Sequence, residues 1–576
     1  MFVCLLVLLF VLFHLKSCLL REKCSSCAEP FVSLSDHLHF FLNTFKIQFC
    51  TQDGRAISIG EVKNPNTNEA FELQLKGAGK TPFHRGADGR AVLRSSVREF
   101  LASEAMHWLG VPTTRALSLC VSATETVQRP WYTESMVLQV PDMNDPRLEQ
   151  FPPAERKAIL RQMRSQKADP NVLVSEPCAI TCRVSPSFMR IGHLDLFARR
   201  ATRAENRKQA TTSADNDDTV PPSPSSSSAS PYDTTSRQWK ELEEIIWHAC
   251  FREFRKEAYD PFYDSGDIRS ASNKLLELSA DKIAAMIGNW IRVGFAQGNF
   301  NADNCLIGGY TMDYGPFGFV EEYSPLFAKW TGSGQHYGFL NQPIAGLANY
   351  QILCMSVAPV IAAKSGQEEQ GIVDLWMKRA KVIFQQAATE TFRIKLGLNR
   401  DNERGDKLWE ELEPLLRASR VDWTLFWRQL TYVVRNFDDL NSSDYAEMLQ
   451  SIEGATDNMG SGDWPRHSPF YEKYSTQVRL MWIDWIKMWR KALQEEGESS
   501  HVYYERMIKA NPKFVLREWM LVDAYKGAAK NNYAVAKGLH ELVQHPYDEG
   551  TEDQVKNYYR RTPEKVQMSG GTAFMS

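Results

Sequence analysis

Basic excess is missing from this chain. Its 576 residues carry 67 Lys and Arg against 70 Asp and Glu, a net charge of −3 and a pI near 6.5. That balance provides no cationic footprint for a polyanion, so nucleic acid is not expected as a partner. Several catalytic signatures are missing too. There is no HExxH, no GxSxG and no GxGxxG after a strand, which leaves hydrolase and dehydrogenase readings without residues. The eleven cysteines are scattered and odd in number, which does not read as a disulfide framework. Cys24-Ser-Ser-Cys27 is a lone CxxC without a second ligand pair nearby, short of a zinc site.

The N-terminus is equally incomplete as a targeting segment. Residues 2–13, FVCLLVLLFVLF, are twelve apolar residues in a row. That is short for a membrane span and closer to a signal-peptide core. Yet no Lys or Arg precedes it, no small-residue cleavage site follows, and the Arg-rich amphipathic character of a mitochondrial transit peptide is absent. Membrane association is not expected, and residues 2–13 alone speak for it.

What is present fits a large globular protein of more than one domain: 43% hydrophobic and 24% charged residues. Most of the fifteen tryptophans fall in the C-terminal half, where large buried aromatic surfaces are expected. Residues 203–236 have almost no apolar side chains and read as a disordered insertion. Before them the pattern mixes strands with a helix. After them helical periodicity dominates, at 238–258, 274–296, 345–363, 369–396, 405–418, 422–436, 475–495 and 514–544. No internal repeat is visible.

One short stretch raises a chemical question. FELQLKGAGKT, residues 71–81, runs from an alternating strand into a glycine-rich turn. A P-loop needs Gly, four residues, then Gly-Lys-Ser/Thr, and its first glycine would fall at Gln74, so the pattern fails. The turn still lets backbone amides approach an anion, or is a plain turn after a strand. Leu73 and Leu75 share one strand face, Glu72 and Gln74 the other, and Lys76 ends the strand. A helix is expected over 96–109, with Val97, Phe100, Leu101, Ala105, Trp108 and Leu109 on its apolar face and Gly110 and Pro112 closing it. Glu99 on that helix can pair with Lys76, as a strand lysine and helix glutamate do in kinases. Read locally, Ser96-x-x-Glu99 is instead a capping box, and this is the stronger local reading.

Three further groups carry candidate chemistry. NFNADNCLIGGYTMDYGPFGF, residues 299–319, places Asp303, Asn304 and Asp313-Tyr314-Gly315 close together, hard oxygen donors of the kind magnesium takes beside phosphates. Asp-x-Gly there resembles the kinase metal-binding triplet, although Asn, Asp and Gly also form ordinary turns. Arg183 and Arg190 would share a face if their segment were helical, and guanidinium groups clamp phosphates well. Asp53-Gly54-Arg55 and Asp88-Gly89-Arg90 are two Asp-Gly turns flanking Lys76.

Together these residues resemble the selenoprotein O family, the kinase-like protein adenylyltransferases. The likeness is carried by LQLKGAGKTPFHRGADGRAVLRSSVREFLASEAMHWLGVPTTRAL (73–117), RVSPSFMRIGH (183–193), GFAQGNFNADNCLIGGYTMDYGPFGF (294–319) and NPKFVLREWM (511–520). It implies an α+β, protein-kinase-like two-lobed fold with a large helical C-terminal region. The corresponding division is an atypical segment at 1–51, an N-lobe at 52–180, a C-lobe at 181–420 and a helical extension at 421–576. It further implies that Lys76 contacts phosphate and pairs with Glu99, against the local capping reading. Asp303 would be the general base, with Asn304 and Asp313 holding Mg2+, or Mn2+ as the alternative ion. Gly54, Arg55, Asp88, Gly89, Arg183, Arg190 and Asp313 would contact ATP. The implied reaction is AMP transfer from ATP, bound flipped relative to kinases, to Ser, Thr or Tyr hydroxyls of proteins, with pyrophosphate leaving. Kinase-type phosphotransfer and an inactive kinase-like scaffold are the alternatives. The likeness implies a mitochondrial location, while the N-terminus looks signal-like.

Two departures stand out. Gln52 occupies a position where the family pattern has glycine, and residues 1–51 do not resemble it. The family commonly ends with Cys or selenocysteine followed by two serines, whereas this chain reads GGTAFMS after its last cysteine, Cys354. A selenocysteine codon read as stop just after Ser576 is the expectation; transcript sequence lacking a UGA-Ser-Ser frame there would sink it.

Overall fold

A computed structural model of the chain describes residues 54–67, 69–84, 86–131, 145–149, 172–214, 232–328, 335–435, 444–454 and 466–563. The apolar run at 2–13, the Cys24–Cys27 pair, Gln52, Asp53 and the residues after 563 lie outside these.

The N-terminal part is an antiparallel sheet with one helix on it. Strands β1 (Ala56–Lys63), β2 (Ala70–Lys76), β3 (Ala91–Val92), β4 (Arg115–Trp131) and β5 (Val172–Ser185) form the sheet in the order β1-β2-β5-β3, with β4 also pairing with β5. Alternation along β2 works as its sequence suggests. Leu73 and Leu75 join Cys182 in a small apolar cluster on one face, and Glu72, Gln74 and Lys76 point to the other. That second face is not solvent: Gln74 is fully buried and Lys76 nearly so. Register sets Gln74 opposite Arg183 and Lys76 opposite Thr181, so Arg183 joins Gln74 on the inner face.

Helix α1 (Leu93–Trp108) packs against β4 and β5. It starts three residues before the Ser96 expected to cap it, because Val92 is already extended as the N-cap and makes no side-chain cap bond. Ser96 therefore lies inside the helix, buried against the Ala179 carbonyl at 3.5 Å. Its end is as expected. Gly110 adopts a left-handed φ of 73°, and Gly110 N and Val111 N bond the His107 and Met106 carbonyls, a Schellman stop. Trp108, placed on the apolar face by its spacing, is 43% exposed; it belongs to the fraying last turn, where the helix passes the edge of the sheet.

The remainder is mostly helical. In order come α2 (Ile191–Ala214), α3 (Arg237–Glu253), α4 (Ile268–Val293), the short strands β6 (Phe295–Gln297) and β7 (Phe317–Phe319), α5 (Gln342–Ser365), α6 (Glu369–Lys395), α7 (Arg404–Ala418), α8 (Trp423–Arg435), α9 (Tyr445–Glu453), α10 (Thr476–Glu496), α11 (Ser500–Ala510), α12 (Glu518–Ala528), α13 (Ala534–Val543) and α14 (Glu552–Tyr558). Helices α4, α5 and α6 pack on one another. Helix α5 with its preceding turn is long and apolar enough to cross a membrane, but 56% of its apolar window is buried among its neighbours, as in a core helix. The apolar core is one continuous cluster from α1 through α4–α6 to the last helices.

Two helical expectations change. Residues 203–214, read as the start of a disordered insertion, continue α2; Ala, Arg, Glu, Lys and Gln there favour helix. Residues 215–231 lie outside the described residues. The single helix expected at 514–544 is two, α12 and α13, preceded by an extended buried segment from Asn511 to Arg517. Asn531, left-handed at φ 57°, ends the first of them. The tryptophans do bury a large surface. Trp482, Trp485 and Trp489 line one face of α10, and their indole N–H groups donate to Ser419 Oγ, Leu408 O and Leu396 O at 2.8, 3.0 and 2.8 Å.

Candidate active site

Three turns meet at the end of β2. Gly77 N donates to the Arg55 carbonyl at 2.8 Å, which sets the Gly54-Arg55 turn beside the glycine-rich one. Gly77 has φ +90°, and a Cβ there would lie 2.4 Å from Ala91 Cβ, so this glycine is demanded by sheet packing. Gly89 has φ +70°, and its Cβ would lie 2.2 Å from the Gly79 carbonyl oxygen; the second Asp-Gly turn thus presses directly onto the first. A Cβ at Gly79, φ +130°, would meet nothing within 4 Å, although Gly79 N itself donates to the Gly89 carbonyl at 3.2 Å. The side of the turn that a Gly79 side chain would fill is the part left open to a ligand.

Lys76 projects from this junction to two carboxylates. Its Nζ donates to Glu99 Oε2 at 2.8 Å and also to Asp313 Oδ1. Glu99 is engaged on every side. Oε2 also accepts from Tyr314 N at 3.0 Å, and Oε1 accepts from Arg183 Nη1 at 3.4 Å. It makes no capping bond, which overturns the local capping-box reading: α1 begins too early for Glu99 to reach a free N-terminal amide. Arg183 donates its other arm to Gln74 Oε1.

Asp313 sits in a left-handed conformation, φ 65°, uncommon for a residue other than glycine. Gln297, the last residue of β6, holds that backbone by donating Nε2 to Met312 O at 2.8 Å and to Asp313 O at 3.2 Å. Burial alone would push the Asp313 carboxyl up. Lys76, Arg55 and Arg183 outweigh it and hold the group far below the usual carboxylate range.

Asp303 and Asn304 lie in a 3-10 turn, Ala302–Asn304, opened by Asn301, whose Oδ1 accepts from Asp303 N at 3.0 Å. Cys305 pairs with Thr311 in an antiparallel bridge, so Asn304 and Asp313 flank the open end of one hairpin, as the spacing suggested. Asn304 Nδ2 donates to Asn299 O at 2.9 Å, which leaves its oxygen as the outward donor. Asn299 Oδ1, in the same segment, is buried with no hydrogen-bond partner among the described residues. These are hard oxygen donors, fewer than a closed metal cage needs. They fit an ion such as magnesium that completes its shell with water and phosphate oxygens. Among the described residues no group of three or more His, Cys, Asp and Glu side chains forms a closed site.

Two further groups of this site lie on different elements. Arg183 and Arg190 do not share a helix face: Arg183 is in β5, and Arg190 precedes α2. They converge on the site by different routes. Arg190 is bridged to Leu306, and its neighbours exchange backbone bonds with Cys305 and Ile307 at 3.0 Å, directly after Asp303 and Asn304. Asp88 accepts from Arg129 Nη2 at 2.7 and 2.8 Å and from Arg90 N at 2.9 Å. Its carboxylate thus shapes its own turn and ties it to β4. Sequence reading passed over Gln74 and Gln297. Gln74 shares the period-two face of Lys76, a signal that was there to use; Gln297 had none.

A family model described as protein adenylyltransferase SelO matches residues 22–140 and 161–544. That match starts upstream of Gln52, inside the segment whose residues had seemed unlike the family. The chain is 31% identical over 528 residues to the protein nucleotidyltransferase YdiU of Flavobacterium johnsoniae, covering 91% of this chain and 80% of that protein. To the protein of the same name from Nitrosospira multiformis it is 30% identical over 538 residues, 91% and 79% of the two chains. The relative from Rhodopirellula baltica, also named protein nucleotidyltransferase YdiU, is 28% identical over 532 residues, 91% and 81%. A match of this extent, over a sheet, helix and hairpin that bring Lys76, Glu99 and Asp313 into contact, leaves one conclusion: the chain belongs to the SelO family of protein adenylyltransferases.

Proposed function

We propose that this chain transfers AMP from ATP to hydroxyl side chains of other proteins, Ser, Thr or Tyr, on a kinase-like two-lobed scaffold. The observation that carries the reading is Lys76 held at once by Glu99 and Asp313 at the mouth of an open glycine turn. Lys76, Arg55 and Arg183 concentrate positive charge beside Asp313. The β- and γ-phosphates bear the greater part of the nucleotide's charge, so this interior favours them. The α-phosphate is then left toward the half-buried Asp303. That orientation makes pyrophosphate the leaving group.

In the reaction the acceptor oxygen attacks the α-phosphorus, and the bond from that phosphorus to the α–β bridging oxygen breaks. Asp303 accepts the hydroxyl proton. Lys76, Arg55 and Arg183 offset the charge gathering on the departing pyrophosphate, and Arg190 steadies the Asp303-Asn304 segment. Asn304 and Asp313 are the residues that would hold Mg2+ or Mn2+, which when bound neutralises phosphate charge. The test is parallel incubation with α-labelled and γ-labelled ATP and an acceptor protein. Protein label from the α position alone is the expected result. Label from γ alone would mean kinase-type transfer and would refute the reading.

A further inference from the structure

The segment Asn511–Met520 is buried at every position, including its polar residues Asn511, Lys513, Arg517 and Glu518. A ten-residue stretch this polar is seldom fully buried unless its charges are matched. They are. Arg517 makes a two-armed bond to Asp422 at 2.6 and 2.8 Å, and Asp422 in turn accepts from Leu425 N at 3.1 Å at the start of α8. Glu518, the first residue of α12, pairs with Arg98. Arg98 is the residue before Glu99 on α1, and its side chain is 1% exposed. Its other arm donates to the Phe317 carbonyl at 2.6 Å, and its guanidinium covers the Phe317 ring at 4.2 Å.

Arg98 thus joins three bodies: the helix that presents Glu99 to Lys76, the strand that leaves the Asp313-Tyr314-Gly315 turn, and the C-terminal helices. Arg517, just before Glu518, ties the C-terminal side of the contact to Asp422 through a fully buried ion pair. Moving α1 away from β2 would strip Arg98 from both Glu518 and Phe317 in the interior, at a cost that one partner's loss alone makes large.

We propose that Glu518, acting through Arg98, is a positioning residue for AMP transfer. It holds α1 so that Glu99 meets Lys76, and it holds the Asp313 segment with the same guanidinium. The C-terminal region is therefore part of the machinery that aligns the nucleotide. This rests on the AMP-transfer reading given above.

The experiment measures kcat and KM for ATP with α-labelled nucleotide, alongside the melting temperature, in full-length variants. Glu518→Gln should lower kcat about tenfold or more and also lower the melting temperature. The double variant Arg98→Met, Glu518→Met removes both charges. It should recover the melting temperature, as buried pairs replaced by apolar residues do, while kcat stays low. In a Glu99→Gln background, Glu518→Gln should cost less than about threefold further, since the contact it maintains is already weakened. Recovery of kcat together with stability in the double variant would overturn the proposal, as would a full additive loss in the Glu99→Gln background. Should the double variant not fold, Arg98→Lys keeps the charge but cannot serve Phe317 and Glu518 with a planar fork; wild-type kcat in that variant would overturn the proposal. If the unaltered protein transfers no α-label, the AMP-transfer reading fails by itself. Positioning is then read from Mg-ATP affinity, and unchanged affinity in Glu518→Gln overturns it while a loss supports it.

Discussion

Replacing Glu99 with glutamine separates two roles a glutamate could have at this place. Gln serves as well as Glu in a capping box, so a capping role expects no change. The observed contacts expect a large one. Glu99 accepts from Lys76 at 2.8 Å and from Arg183 at 3.4 Å, both charge-assisted. Such bonds contribute about 1.5–3 kcal/mol, against about 0.5–1.5 kcal/mol for neutral ones. The amide still accepts from Tyr314 N, so the turn after Asp313 is kept. What is lost is the pull on Lys76, which is then free to lean wholly on Asp313. A deficit of about 1–1.5 kcal/mol at the lysine translates into a kcat/KM lower by roughly 5- to 13-fold. Steady-state AMP transfer at several ATP concentrations measures it, with thermal melting to confirm folding. Activity within about twofold of the unaltered protein would refute the lysine-positioning reading and restore the capping one.

Three further outcomes are expected. Gly89→Ala sets a Cβ against the Gly79 carbonyl at φ +70° and should weaken ATP binding at least about tenfold, read by titration calorimetry; it also carries strain of about 1–3 kcal/mol. Glu253 has a carboxyl buried against Gly308, and that burial pushes it up to about 7 despite Ser187 and Arg252. The folded chain then binds the extra proton between the unfolded value near pH 4.5 and pH 7. The stability this confers is complete at the acid end and is lost as pH rises through 7. Glu253→Gln should raise the melting temperature at pH 8 and leave it unchanged at pH 5; equal shifts at both would refute the assignment. Arg517→Met strands Asp422, whose side chain is fully buried, and should destabilise the protein by about 3–5 kcal/mol in urea unfolding, whereas Arg517→Met with Asp422→Asn should recover much of that.

Local pattern was enough to read some of this site, and distance along the chain decided what could not be read. The alternation of Leu73 and Leu75 with Glu72 and Gln74 set the two strand faces and put Lys76 at the strand's end, though not the burial of its polar face, and the hairpin between Asn304 and Asp313 followed from turn residues around a short apolar piece. Ser96 misled because a side chain able to cap does not start a helix when the backbone has already turned at Leu93. Arg183 and Arg190, seven residues apart, would share a face only on a helix, and the segment instead crosses from a strand into a turn. Gln297 reads as a plain polar residue until the left-handed backbone it braces is seen. Nothing near Arg98 in sequence points to Glu518, because a buried ion pair leaves no periodic trace.

Arg98 and Glu518 stand 420 positions apart. During synthesis at about 5–20 residues per second, the arginine waits roughly 20–80 s for its partner to be made. Once the Asp313 hairpin is made, about halfway through that interval, the nascent chain has β2, α1 and the hairpin but not the contact that seats them together. A chain stalled before α12 carries Lys76, Glu99, Arg183 and Asp313 and still lacks the partner of Arg98. On the positioning role proposed for Glu518, AMP transfer is then expected only from chains synthesised through α12.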